Sequence, residues 1–200
     1  GGFGGERSAV SGSLFVEELA YGDLSIALGA MAPALVAFPL LDAGSEEQKQ
    51  RYLPRFCGDN YAAATAALLE PRYQFDPHQL STTAIREDDL YVLNGKKCYV
   101  PLAAESELLL VYAQDSSAGS PQGFLVEKGT AGLSVGEREG NMGIKALPTY
   151  EVTLADCRVP LSQRLGGEAG ADFAKLLDHS RVALAAMAVG VARAAAESAR

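Results

Sequence analysis

Apolar residues recur at helical spacing through the first part of the chain and in short strand-like runs through its middle. From Ser8 to Tyr21, the positions Val10, Leu14, Phe15, Leu19 and Tyr21 predict a helix, with Gly22 as its stop. Ser25–Leu41 is apolar nearly all round, which predicts a buried helix, and Pro33 and Pro39 predict a kink or break within it. Gly44 closes that helix. Ser45 opens the next, with Gln48 completing a capping box, and the pattern runs to about Phe56. Here Glu46, Glu47, Gln48, Lys49, Gln50 and Arg51 read as a solvated face, and Tyr52, Leu53 and Phe56 point inward.

Between Tyr61 and Pro160 the pattern changes to runs rich in Val, Leu, Tyr and Thr. They are Tyr61–Leu68, Ser81–Arg86, Leu90–Asn94, Lys97–Pro101, Glu107–Ala113, Gly123–Glu127, Leu133–Glu137 and Tyr150–Leu154. Turn residues separate them, as in a β-sandwich or barrel. Asn94–Gly95 predicts a type I′ hairpin turn, because this pair accepts positive φ. A glycine-rich turn, Gly166–Gly170, leads to a final helix from about Ala171 to Arg200. Its alanines favour helix and permit close helix–helix approach, and its apolar character predicts packing partners outside this chain.

Composition adds exclusions more than assignments. The 200 residues carry 17 basic and 25 acidic side chains, a net charge of −8, which argues against non-specific binding to nucleic acid. Cys57, Cys98 and Cys157 are odd in number and form no CxxC pair, so free thiols in a reducing, cytoplasmic compartment are expected, and no metal site. No leader and no apolar run long enough to span a bilayer is visible. Gly1–Gly5 has no strand before it, which favours a flexible connection over a phosphate loop, and the lack of an initiator Met fits a piece of a longer chain.

Five local sequences carry a resemblance. GSEEQKQRYLP (Gly44–Pro54), LEP (Leu69–Pro71), YVLNGKKCYV (Tyr91–Val100), NMGIKALPTYEVTLADCRVP (Asn141–Pro160) and GGEAGADF (Gly166–Phe173) occur in the order seen in the acyl-CoA dehydrogenase family. The chain resembles that family along essentially its whole length. The resemblance implies an α+β fold: part of an N-terminal helical domain (1–60), a middle antiparallel β-barrel or sandwich (61–160), and a linker with the first helix of a C-terminal helical bundle (161–200). It also implies FAD as cofactor, an acyl-CoA substrate, an electron-transfer flavoprotein or similar acceptor, and a homo-oligomer, dimer or tetramer.

The chemistry so implied is α,β-dehydrogenation of the thioester, a general-base reaction with a preorganised site for enolate-like charge. By resemblance Leu68, Leu69, Glu70, Phe75, Tyr99, Val100 and Pro101 face the cofactor, within the wider stretches Ala66–Phe75 and Tyr99–Pro101. Phe75, Asp178 and Arg181 face the substrate, the last two sharing one helix face at i, i+3. The base is expected beyond Arg200; at the alternative position some relatives use, this chain has Ser180, which is no carboxylate. His78, His179, Glu17, Glu18, Glu151 and Asp156 are read as loop, surface or interface residues.

Two departures from the family pattern stand out. Leu69 replaces a Thr hydroxyl, with Tyr73, Gln74 and Phe75 adding bulk after it, and Pro101 replaces a second Thr and removes an N–H. Two or three lost hydrogen bonds weaken flavin binding by about tenfold to a thousandfold. This motivates an alternative, a non-catalytic paralogue acting as a structural partner subunit.

Overall fold

The computed structural model describes residues 8–200, so the Gly1–Gly5 connection lies outside the described residues. Two compact units are present. One contains residues 8–31, Asn141–Leu147 and Ala174–Arg200, and the other Ala32–Gly140 and Pro148–Phe173.

In the smaller unit, helix α1 spans Ala9–Gly22, with the Ser8 hydroxyl accepting from the Ser11 N–H. Helix α2 spans Leu24–Met31, and Asp23 accepts from the Ile26 N–H at its start. These helices share an apolar core, Val16, Ala20 and Ala27, with Met187 of helix α5, Phe173–Ser198. A Cβ at Gly190 would stand 2.1 Å from the Glu17 carbonyl oxygen, so glycine is what allows α5 to lie this close to α1. Arg193 bonds Glu17 and Glu18 at 2.7 Å each, and the Tyr21 hydroxyl donates to Glu197. Part of α5 therefore does find its partner within the chain, contrary to expectation, while Val182, Leu184 and Val189 stay exposed.

In the larger unit, α3 (Ala34–Ala43) begins after Pro33, where the long apolar run breaks, and accommodates Pro39 within it. Helix α4 (Glu46–Tyr52) starts on the expected capping box, formed in both directions between Ser45 and Gln48. Pro54 then tightens the chain into a 3-10 turn, Leu53–Phe56. Gln48 departs from the solvated-face reading, being buried at 3% exposure. Its Nε2 donates to the carbonyls of Ser162 and Arg164, both at 2.7 Å, and its Oε1 accepts from Ser45 and Gly166 N–H groups. Burial without cost needs this complete set of partners.

Seven strands form one mixed sheet: β1 Ala64–Ala67, β2 Thr83–Glu87, β3 Leu90–Pro101, β4 Leu108–Asp115, β5 Ser120–Glu127, β6 Leu133–Arg138 and β7 Thr149–Pro160. Most pairs are antiparallel, but β1 and β2 both run parallel to β4. Strand β4, LLLVYAQD, is buried almost throughout and reads accordingly as a continuous apolar run.

The expected hairpin at Asn94–Gly95 is not formed. The tight turn falls at Asp88–Asp89, between β2 and β3, and β3 runs unbroken through Asn94 against β7. A bulge on β7 explains the Asn. Ala155 and Asp156 together oppose Asn94, whose side chain accepts the Asp156 N–H at 2.9 Å and donates to its carboxylate. Gly95 has φ +149°, and a Cβ there would meet Thr82 at 2.6–2.8 Å. The dipeptide's permissive φ thus serves a strand crossing rather than a turn.

Candidate functional site

Where β1 ends, at Ala67, the chain leaves the sheet as Leu68–Glu70 and is tied to β3 beside it. The Cys98 N–H donates to the Leu69 carbonyl at 2.9 Å, and Lys97 Nζ donates to the Leu68 carbonyl at 3.1 Å and to Glu70 Oε1 at 3.0 Å. Glu70 also accepts the N–H groups of Ser81 (2.7 Å) and Thr82 (2.8 Å). Both charges are shielded from water, with side-chain exposures of 0% for Lys97 and 2% for Glu70. Burial alone would raise the Glu70 carboxyl; the Ser81 and Thr82 N–H groups, then Lys97, outweigh it and hold the pKa down at about 2. For Lys97 burial outweighs the attraction of Glu70, and its pKa falls to about 8.

A second bulge, on β3 itself, follows at once. Lys97 pairs with Val152 and Val100 with Tyr150, so Cys98 and Tyr99 oppose a single residue. Tyr99 sits at φ 53°, in the left-handed region, and its N–H donates to the Glu139 carboxylate at 2.9 and 3.2 Å. The bulge inverts the in–out alternation: Tyr91 and Leu93 face the core before it and Val100 after it. Tyr99 is left 55% exposed, and Leu69 is 42% exposed.

The structure therefore brings together the stretches Leu68–Glu70 and Lys97–Val100, which are distant in sequence. Leu69 and Tyr99 present apolar surface. The side chains of Glu70 and Val100 turn inward, so only their backbone remains for a ligand. Pro101 pairs with Thr149 and offers no N–H. Phe75 lies further along the loop, half-buried, with the Arg72 guanidinium 5.9 Å from its ring centroid. Asp178 and Arg181 belong to the smaller unit, where they form an exposed ion pair of 3.2 Å. The Ser180 hydroxyl donates to the Leu176 carbonyl. His78 stands edge-on to Phe173 at 5.9 Å.

Lys97 and Glu139 were not singled out by sequence. For Lys97 a signal exists, since it shares the parity of Tyr91 and Leu93 on the core face of β3. Glu139 gives none, being forty residues from its partner Tyr99. The three cysteines are free; Cys98 and Cys157 are buried, whereas Cys57 is exposed. Burial raises both buried thiols, Cys157 to about 11, which keeps them protonated and unreactive. Among the described residues no cluster of acidic, His and Cys side chains could hold a metal, and no single helix is long and apolar enough to cross a membrane. A cavity of about 230 Å³ opens beside the buried Asp115–Arg164 pair (2.8 Å), lined also by Arg86, Tyr91 and Glu168. It shares no residue with the stretches above.

Helices on a curled mixed sheet, with this pair of tethered stretches, define the class. Residues 1–59 match the model of the acyl-CoA dehydrogenase N-terminal domain and residues 65–157 that of the middle domain. The chain belongs to the acyl-CoA dehydrogenase family. It is 36% identical over 198 residues to the cyclohex-1-ene-1-carbonyl-CoA dehydrogenase of Geobacter metallireducens, covering 96% of this chain and 52% of that protein. Its fold matches a glutaryl-CoA dehydrogenase from Mycobacterium smegmatis in complex with FADH2, with a TM-score of 0.83, 31% identity, and 96% and 49% of the two chains covered. It also matches the butyryl-CoA dehydrogenase of Megasphaera elsdenii, with a TM-score of 0.78, 34% identity, and 94% and 51% covered. The chain thus spans about half the length of these relatives.

Proposed function

We propose that this chain is part of a FAD-dependent dehydrogenase acting on an acyl-CoA thioester. The observation that carries this reading is the meeting of Leu68–Glu70 with Lys97–Val100, which joins the stretches Ala66–Phe75 and Tyr99–Pro101 that the resemblance assigns to the flavin. Tyr99 and Leu69 are both exposed there and offer the apolar surface that a flat aromatic ring needs, although the Tyr99 and Cys98 N–H groups are already engaged. The glutaryl-CoA dehydrogenase structure, with its bound FADH2, supports the choice of cofactor.

In this reading FAD, when bound, supplies the hydride acceptor at its N5. Exposed Tyr99 would offer its ring to the flavin, and exposed Leu69 would shield it from water. Leu68, Glu70, Val100 and Pro101 would help hold it, and Phe75 would serve both cofactor and substrate. Asp178 and Arg181 hold the CoA moiety, and the catalytic base comes from beyond Arg200, since Ser180 cannot supply a carboxylate. An electron-transfer flavoprotein or similar acceptor reoxidises the cofactor, and the protein works as a homo-oligomer built from a helical domain (1–60), a β-domain (61–160) and a C-terminal bundle that begins within 161–200.

The test is anaerobic incubation of the full-length, FAD-saturated protein with a panel of acyl-CoAs, followed by mass spectrometry. A product two hydrogens lighter is expected from at least one of them. A second reading, a non-catalytic partner subunit, is favoured by Pro101 and by the engaged Tyr99 N–H, which leave few donors for a flavin. Unchanged acyl-CoA throughout the panel supports it.

A further inference from the structure

We propose that Lys97 and Glu70 are positioning residues for the cofactor: the buried pair holds the Leu68–Leu69 backbone beside the Tyr99 bulge and so sets the spacing of the exposed Leu69 and Tyr99 side chains. This rests on the flavin reading above. Leu68–Glu70 has left the sheet and has no ladder of its own, so its place depends on the tethers it finds. There are three. The Cys98 N–H fixes the Leu69 carbonyl, the Lys97 ammonium fixes the Leu68 carbonyl and Glu70, and the Ser81 and Thr82 N–H groups fix Glu70 from the other side. On the Tyr99 side, Glu139 holds the Tyr99 N–H, so both segments are fixed.

An apolar pair of the same volume often matches a buried ion pair in stability, although here it would leave the Ser81 and Thr82 N–H groups unpaired. What it would not do is aim. Lys97 sends two of its donors into one three-residue segment, and Glu70 answers with both oxygens. With 0% side-chain exposure Lys97 touches no ligand and acts only through the residues it holds.

The test uses the full-length protein and three variants: Lys97→Met, the double variant Lys97→Met/Glu70→Leu, and Val126→Ala, a core change on β5. Each is measured for its thermal midpoint, its dissociation constant for FAD, and the shape of the bound flavin's visible band. The double variant removes both charges and also the acceptor of the Ser81 and Thr82 N–H groups, so its midpoint is expected to fall, as that of Val126→Ala does. Unlike Val126→Ala, it is expected to bind FAD about tenfold more weakly or worse, the loss that follows from one charge-assisted hydrogen bond, with a blurred band. Lys97→Met shows the same loss with a lowered midpoint, whereas Val126→Ala lowers the midpoint and leaves affinity and band unchanged.

Wild-type affinity and band in the double variant would overturn the positioning role, as would an equal loss in Val126→Ala. Failure of the wild-type protein itself to take up FAD overturns the flavin reading and this role together. Flavin-binding wild type with an indifferent double variant overturns this role alone.

Discussion

Glu70 and Lys97 place opposite charges 3.0 Å apart where water scarcely reaches. Removing one partner of such a pair strands the other, so Glu70→Gln is expected to cost about 3–5 kcal/mol in urea unfolding. Acid acts on the same group. The Glu70 pKa is depressed to about 2 from an ordinary 4.5, so its contribution is complete above 4.5 and is lost as pH falls towards 2. The urea midpoint of the wild-type protein is expected to fall through that window more steeply than that of Glu70→Gln. Parallel slopes would show that Glu70 is not the group responsible. At this scale the sequence was half legible. The Leu-Glu-Pro and Asn-Gly-Lys-Lys stretches were both picked out, and alternation along β3 places Lys97 on the core face, but nothing local says that the two charges meet.

Elements were more legible where their signals are local. The Ser45–Gln48 box, the break at Pro33 and the tightening at Pro54 all follow from residues a few positions apart. Asn94–Gly95 was misread because positive φ is shared by turns and bulged crossings, and only β7, sixty-two residues away at Asp156, decides between them. Gln48 was misread for a like reason, since its partners lie at Ser162–Gly166. Two predictions belong here. Asn94→Ala, which strips the bulge of its acceptor, is expected to lose about 1 kcal/mol in denaturant unfolding. Gly190→Ala places a methyl 2.1 Å from the Glu17 carbonyl oxygen and must push α5 off α1. Faster hydrogen exchange in α1 reports that separation, and unchanged exchange there would contradict the close packing described.

Across the whole molecule, apolar surface remains on the helices. Val10, Leu14 and Phe15 on α1 and Val182, Leu184 and Val189 on α5 are all more than half exposed. Such patches mark association surfaces. The 200-residue chain is accordingly expected to elute from size exclusion above its monomer mass of 21.0 kDa, and introducing Glu at Val189 to shift it towards the monomer.

A flavin site formed by the Leu68–Glu70 and Tyr99–Pro101 stretches, as proposed, would show in the visible absorption spectrum of the full-length protein. The spectrum is taken after saturation with FAD and again after anaerobic addition of an acyl-CoA. A flavin site there gives a bound-flavin spectrum that bleaches. A folded, oligomeric protein that stays colourless through reconstitution would contradict it.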